Sequence, residues 1–124
     1  MTWRYTLIDK ILIIDDEIIF CNALRNHLIQ KGYHVKIYTS FNEFQGELGF
    51  GQFDLVLLDL NLPDIYGLDL FKSFKKTNPR MKVIIISAYL DHENITEAKK
   101  LGAYECVSKN TQMFQVLDQI FETM

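Results

Sequence analysis

The chain has 124 residues and a formal net charge of −3, and its residues are 48% hydrophobic and 23% charged. These values are ordinary for a soluble globular protein and supply enough apolar material for one buried core. The acidic balance disfavours a nucleic-acid-binding surface, which requires a stripe of basic residues. The sequence has no apolar run near the roughly 20 residues that cross a bilayer, and no signal-peptide block. We therefore expect one cytoplasmic domain over residues 1–124, with residues 1–9 as a short extension.

Two cysteines, Cys21 and Cys106, stand far apart in the sequence and form no C-x-x-C pair. Such spacing does not suit a zinc site or a redox motif. We interpret both as reduced, partly buried small residues rather than as a disulfide.

Five short β-rich runs alternate with helical patterns along the chain. The predicted strands are 10–14, 33–38, 55–58, 82–86 and 104–107. Three of them contain continuous apolar runs, the pattern of strands that are covered on both faces in a parallel sheet. Five strand–helix units in one small domain predict a doubly wound α/β fold.

Helical patterns follow each predicted strand. They cover about 18–30, 67–76, 93–101 and 111–121, and a further helix begins at Ser40. Ser40 and Glu43 form the signature of a capping box. Gly32 and Gly102 stand where the helices before them should end.

Polar residues follow several of the predicted strands at their carboxyl ends. Asp15 and Asp16 follow the first strand, Asp59 the third, Ser87 the fourth and Lys109 the fifth. Ligands of doubly wound folds bind beyond these ends, where the strand order reverses. A single Asp or Ser after a strand is often only a helix cap, but capping does not explain all five residues together. We therefore expect them to share one rim of the sheet.

These residue types together suit phosphoryl transfer. Three carboxylates in one crevice repel one another, and a hard divalent cation such as Mg2+ relieves that repulsion. A carboxylate can act as the nucleophile that forms an acyl phosphate, while the metal and a lysine neutralise charge on the transferring group. A serine hydroxyl can donate to a phosphoryl oxygen.

Four motifs resemble those of bacterial two-component response-regulator receiver domains, and together they span nearly the whole chain. They are ILIIDDE (11–17), LVLLDLNLPDIYG (55–67), VIIISA (83–88) and LGAYECVSK (101–109). The resemblance implies a five-stranded parallel sheet of flavodoxin-like order 2-1-3-4-5, with helices on both faces. It also implies a phosphoacceptor signalling domain that assists its own phosphorylation and dephosphorylation, and not an enzyme with a separate substrate.

The resemblance also assigns roles to individual residues. It implies Asp59 as the phospho-acceptor; Asp15, Asp16, Asp59 and the backbone carbonyl of Asn61 as Mg2+ ligands; and Ser87 and Lys109 as groups that bind phosphoryl oxygens. The phosphoryl donor would be a phosphohistidine on a sensor histidine kinase or on a histidine phosphotransfer protein. A homodimer or an output domain would contact the fourth helix, fifth strand and fifth helix, without direct nucleic-acid binding by this domain.

Two positions depart from the family pattern. Asn110 follows Lys109 where many receivers have proline, which puts the cis peptide bond often found there in doubt. Cys106 stands where the family usually has the aromatic residue that responds to the moving hydroxyl of Ser87. Tyr104 lies two residues earlier, on the same predicted face of the strand, and is our candidate substitute. The competing interpretation is that Tyr104 is an ordinary half-exposed strand residue.

Other functions that occur on this fold require different residues at the strand ends. A flavodoxin-like electron carrier requires a Ser/Thr/Gly-rich phosphate loop after the first strand, where this chain has Asp15-Asp16-Glu17. A phosphatase of the haloacid-dehalogenase type requires a second acid two residues after its nucleophile, where this chain has Asn61. The remaining alternative is a pseudo-receiver, never phosphorylated, that acts only as an interaction module. The complete set of strand-end residues argues against it.

Overall fold

Strands and helices alternate along residues 8–45 and 52–124, the part of the chain that the computed structural model describes. The strands are β1 (Lys10–Ile14), β2 (His34–Tyr38), β3 (Leu55–Asp59), β4 (Lys82–Ser87) and β5 (Glu105–Ser108). The helices are α1 (Ile18–Gln30), α2 (Phe41–Gln45), α3 (Gly67–Thr77), α4 (His92–Lys100) and α5 (Met113–Glu122). None of these helices is long and apolar enough to span a membrane. The predicted extension lies mostly outside the described residues.

The strands form one parallel sheet in the order β2-β1-β3-β4-β5, which confirms the predicted fold and strand order. The order reverses between β1 and β3, because β2 lies on one side of β1 and the later strands lie on the other. The crevice that receives ligands in such folds is therefore at the carboxyl ends of β1 and β3.

The sheet divides the core into two layers, because successive side chains of a strand point to opposite faces. Ile13 of β1 lies in the same apolar cluster as Leu24 of α1 and Leu117 of α5. Its neighbour Ile14 belongs to the opposite cluster, with Phe71 of α3. Every residue of β3 is buried, as the continuous apolar run predicts for a strand covered on both faces.

Two predicted strands begin one residue late in the structure. Tyr33 donates its backbone N–H to Leu28 O at 3.2 Å, so it still belongs to the turn that ends α1. Tyr104 donates to Val83 O at 2.8 Å but lies just before β5. The predicted helix stops are confirmed, since Gly32 and Gly102 both have a φ of 96°. Residues other than glycine rarely adopt that backbone conformation.

The start of α2 is capped by two side chains. Glu43 N donates to Ser40 Oγ at 3.1 Å, which is one half of the predicted capping box, while the Glu43 carboxylate accepts from Thr39 Oγ1 at 2.9 Å. The carboxylate of Asp64 also accepts from the backbone N–H groups of Phe41 at 3.0 Å and Asn42 at 2.8 Å. The partners of Asp64 lie more than 20 residues away in the chain, so local sequence patterns do not reveal this cap. This contact connects the β3–α3 loop, which follows Asp59, to α2.

The β3–α3 loop closes tightly at Gly67. Gly67 N donates to Leu60 O at 2.7 Å, and Asn61 forms an isolated bridge with Tyr66. A Cβ atom at position 67 would lie 2.6 Å from Leu60 Cα and even closer to Asp59 O. Glycine is therefore required at this point by the backbone that carries Asp59.

We expect Gly67→Ala to destabilise the protein by about 2–3 kcal/mol, because the added methyl group overlaps backbone that cannot move without disturbing β3. Urea unfolding followed by circular dichroism measures the difference. Ser73→Ala, on the exposed face of the same helix, is the control and should change the free energy of unfolding by less than about 0.5 kcal/mol. Equal unfolding midpoints for the two variants would contradict this account.

Candidate functional site

The predicted site residues come together at the carboxyl edge of the sheet. Asp15 follows β1, Asp59 ends β3, Ser87 ends β4 and Lys109 follows β5. The parallel registers place these ends side by side: Ile14 pairs with Leu58, and the next position, Asp59, pairs with Ile86. Both carboxylates and the Ser87 hydroxyl are buried.

Lys109 is surrounded by carboxylates. Its Nζ lies 2.6 Å from Asp15 Oδ2, 2.8 Å from Glu17 Oε1 and 3.2 Å from Asp59 Oδ2. It also lies 4.9 Å from the centre of the Phe20 ring, a cation–π distance. Burial alone would lower the pKa of Lys109, but bonding to the Asp15 and Glu17 carboxylates outweighs burial and raises it. The ammonium is therefore charged at any physiological pH.

Asp15 is the most deeply buried of the three acids. Its Oδ1 accepts a hydrogen bond from Glu17 N at 2.9 Å. Its Oδ2 touches Lys109, but no group among the described residues donates a well-directed hydrogen bond to it. Burial raises the pKa of Asp15 to about 6, against the opposing effect of the adjacent Lys109 ammonium. A buried carboxylate oxygen that lacks a hydrogen-bond donor is suited to bind a cation.

The acidic cluster differs from the predicted one in a single residue. Asp15, Glu17 and Asp59 each offer an oxygen, and these oxygens all lie within 4.8 Å of one another. Asp16 is exposed and does not belong to that group. Glu17 was not assigned a role from the sequence, although it stands directly beside the acidic pair. The only sequence signal was this third successive acid, since its contact with Lys109 crosses 92 residues.

Oxygen ligands of this kind fit Mg2+, which prefers carboxylates, carbonyls and water. Receiver domains typically bind Mg2+ in an acidic pocket, and the clustered carboxylates together with the unsatisfied Asp15 oxygen satisfy that requirement. The predicted metal ligands Asp16 and the Asn61 carbonyl remain predictions.

Asp59 and Ser87 are held by their own loops. Asp59 Oδ1 accepts from Asn61 N at 3.2 Å, and Asn61 Nδ2 lies 3.4 Å from Ser87 Oγ. Ser87 Oγ donates to Tyr89 O at 2.9 Å and accepts from Tyr89 N at 3.2 Å. The Tyr89 side chain itself is 72% exposed. The hydroxyl of Ser87 is therefore satisfied within the β4–α4 loop and must break a bond to reach a ligand at Asp59.

The two departures noted in the sequence have simple structural settings. No cis peptide bond occurs in the described residues, so Lys109-Asn110 is trans. Cys106 is partly buried against the same apolar cluster as Phe71, whereas Tyr104 is 37% exposed at the edge of β5. Both cysteines are free thiols, and Cys21 donates its Sγ to Asp15 O at 3.2 Å. The switch roles of Tyr104 and Cys106 remain predictions.

The fold and the site define a doubly wound α/β protein with a lysine and a carboxylate cluster at the strand ends. The chain belongs to the response regulator receiver domain family, whose model matches residues 11–121. Receiver domains are signalling domains of two-component systems, and those of response regulators interact with histidine kinases and with output domains.

Individual relatives support the same assignment. The chain is 34% identical over 99 residues to the transcriptional regulatory protein ZraR of Escherichia coli K12, covering 80% of this chain and 22% of that protein. It is 32% identical over 115 residues to the glycerol metabolism activator of Pseudomonas putida, covering 90% and 52%. The chain thus spans about half or less of these curated relatives.

Two solved receiver structures match it over nearly their whole length. A CheY-like response regulator receiver domain protein from Methanospirillum hungatei superposes with a TM-score of 0.83 at 29% identity, covering 94% of this chain and 93% of that one. A receiver domain protein from Clostridium thermocellum gives a TM-score of 0.82 at 30% identity, with the same coverage.

The raised pKa of Asp15 predicts that its ionised carboxylate destabilises the folded protein, and that this effect depends on pH. The folded protein holds the Asp15 proton up to a pH of about 6, whereas the unfolded chain releases it near 3.8. The contribution of Asp15 to stability therefore falls as the pH rises from about 4 to about 6, and stays low above that window. At 1.36 kcal/mol per pKa unit, the full shift corresponds to a destabilisation of the folded parent by roughly 3 kcal/mol. A variant without the Asp15 charge also loses the contact with Lys109, which offsets part of the expected gain in stability.

In EDTA at pH 7, we expect Asp15→Asn to be about 1–2 kcal/mol more stable than the parent protein. The difference should shrink towards zero at pH 4, where the parent carboxyl is protonated. Added Mg2+ should also reduce the stability difference, because it should stabilise the parent protein and not Asp15→Asn. Glu122→Gln, at an exposed position, is the charge-matched control. A difference that does not depend on pH would refute the assignment of this cost to the Asp15 charge.

Proposed function

We propose that this receiver domain accepts a phosphoryl group on Asp59 in a Mg2+-dependent reaction and then changes the surface that it presents to partners. The observation that carries the proposal is the buried carboxylate of Asp59, 3.2 Å from the Lys109 ammonium and clustered with the unsatisfied carboxylate of Asp15. Such a site places a nucleophile beside the charges that phosphoryl transfer needs.

The phosphoryl donor in this proposal is a phosphohistidine on a sensor histidine kinase or on a histidine phosphotransfer protein. A carboxylate oxygen of Asp59 attacks the phosphorus, the P–N bond to the donor imidazole breaks, and the electron pair returns to the ring nitrogen. Asp59 Oδ1 is already oriented by the Asn61 amide, which fixes the direction of the nucleophile. Lys109 neutralises charge that accumulates on the phosphoryl oxygens.

Carboxylates of Asp15, Asp16 and Asp59 and the carbonyl of Asn61 are the proposed Mg2+ ligands. When bound there, the metal neutralises charge on the phosphoryl group and on the clustered carboxylates. Of the three proposed carboxylate ligands, Asp16 is the exposed one, whereas Asp15 and Asp59 are buried.

Ser87 is proposed to bind a phosphoryl oxygen after transfer. To do so its hydroxyl must stop donating to Tyr89 O, which lies 2.9 Å away in the unphosphorylated structure. The β4–α4 loop then loses the hydrogen bond that closes it. This step connects chemistry at Asp59 with the proposed partner surface of α4, β5 and α5, which suits a homodimer or an output domain.

As a cytoplasmic signalling domain over residues 1–124, the chain would have no substrate turnover beyond its own phosphorylation and dephosphorylation. The pseudo-receiver alternative has the same fold but no phosphoryl transfer. Phosphorylation by a small-molecule donor separates the two.

Incubation with acetyl phosphate and Mg2+ should increase the intact mass by one phosphoryl group. Asp59→Asn should gain none, because an amide is not a nucleophile at this site, and EDTA should prevent the gain in the parent. Asp69→Asn, on the exposed face of α3, controls for loss of one carboxylate. Intact-protein mass spectrometry measures all four samples. Equal labelling of Asp59→Asn would place the acceptor elsewhere, and an unlabelled parent would favour the pseudo-receiver.

The proposed switch at Tyr104 predicts a second measurement. If Tyr104 replaces the aromatic that Cys106 lacks, its ring signals should shift in the NMR spectrum when beryllofluoride occupies Asp59. The ring of Tyr33, which packs edge-on against Phe121 with centroids 5.5 Å apart, is the internal reference and should not shift. A shifted Ser87 amide together with an unchanged Tyr104 ring would exclude the switch role.

A further inference from the structure

Glu17 is the exposed partner of the site lysine. Its Oε1 lies 2.8 Å from Lys109 Nζ, closer than the Asp59 oxygen at 3.2 Å. The Glu17 side chain is 57% exposed, whereas those of Asp15 and Asp59 are 0% and 4% exposed. The three carboxylates therefore hold the same ammonium from very different environments.

Lys109 is enclosed by acidic partners in this arrangement. It donates hydrogen bonds to Glu17 Oε1 and Asp59 Oδ2, and the Asp15 carboxylate lies 2.6 Å from Nζ as an ion-pair partner. A new acceptor, such as a phosphoryl oxygen on Asp59, therefore requires Lys109 to leave one of its present partners.

The partner that Lys109 can leave at least cost is Glu17. Asp15 Oδ2 is buried and has no directed hydrogen bond from the described residues, so without Lys109 its charge would have no compensation unless a metal replaced it. Water can replace Lys109 at Glu17, because the Glu17 side chain is more than half exposed. The backbone N–H of Glu17 would continue to bond Asp15 Oδ1 whatever its side chain does.

Phe20 limits where the ammonium goes when the Glu17 contact breaks. The ring centre lies 4.9 Å from Nζ and attracts the cation without supplying a hydrogen-bond acceptor. The ring would therefore keep Lys109 beside α1 while the ammonium exchanges the Glu17 oxygen for a phosphoryl oxygen on Asp59.

We propose that Glu17 is a positioning residue, which holds Lys109 in the unphosphorylated site and releases it when a phosphoryl group arrives on Asp59. The proposal rests on the proposed function of Asp59. Because the Glu17 contact exists only before phosphorylation, it stabilises the resting state and lowers the affinity of the site for a phosphoryl group.

The affinity for beryllofluoride, a mimic of the phosphoryl group on Asp59, measures this effect directly. We expect Glu17→Gln to bind it about three- to tenfold more tightly than the parent. An exposed ion pair of ordinary strength accounts for up to about fivefold, and loss of one negative charge near the anion adds the rest. The titrations use Mg2+ concentrations that saturate each protein, so that changes in metal affinity do not enter.

Two further variants separate the contact from simple charge repulsion. Glu17→Asp keeps the charge but is one methylene shorter, so it should lose the contact and also bind more tightly than the parent. Glu122→Gln removes an exposed charge at the far end of α5 and should leave the affinity unchanged. NMR signals of the Lys109 side-chain nitrogen in the metal-free proteins should shift in both Glu17 variants and not in Glu122→Gln.

The outcomes distinguish this proposal from the one on which it rests. A parent protein that does not bind beryllofluoride overturns both. A parent that binds it, with Glu17→Gln no tighter, overturns the positioning role alone. Tighter binding by Glu17→Gln with parent-like binding by Glu17→Asp also overturns it, since charge alone would then explain the effect.

Discussion

The structure at the strand ends depends on one ammonium that is shared among three carboxylates. Without Lys109, the buried charges of Asp15 and Asp59 would lie within 4.8 Å of each other and of Glu17 with no compensation. The unfavourable part of this arrangement appears as the raised pKa of Asp15, which burial causes and Lys109 only partly opposes. A protein keeps such a cost where the charges have a task, and strongly perturbed groups collect at functional sites for that reason.

The fold was largely predictable because its signals are local or repeat along the chain. Continuous apolar runs identified β1, β3 and β4, and the glycines after α1 and α4 marked real helix ends. The strand order followed from the resemblance, and the sheet confirmed it. The errors at the strand starts were of one residue, and both fell on a tyrosine, a residue type that favours strands. Tyr33 is held in the turn that ends α1 by its bond to Leu28 O, and Tyr104 bonds to Val83 O of β4 but lies just before β5.

Contacts across long stretches of chain were not predictable in the same way. Asp64 caps α2 from more than 20 residues away, and Glu17 binds Lys109 across 92 residues. Neither residue type nor spacing distinguishes such an acid from a solvated one, because the contact depends on how two loops meet. The motif also did not show how far each acid is buried: Asp15 and Asp16 are adjacent after β1, but only Asp15 is buried.

The resting hydrogen bonds also connect the edge of the sheet that carries Asp59 with the start of α4. Ser87 is bonded to the backbone of Tyr89, and two residues later Asp91 caps α4 by accepting from Asn94 N at 2.8 Å. Ala98 is the only buried residue of α4, so little apolar contact opposes a shift of this helix on the sheet. By contrast α3, which starts at the Gly67 constriction behind Asp59, buries five residues and is firmly fixed. A change in the bonding of Ser87 would therefore act on a helix that buries a single residue against the core, where a small local movement can alter an exposed surface.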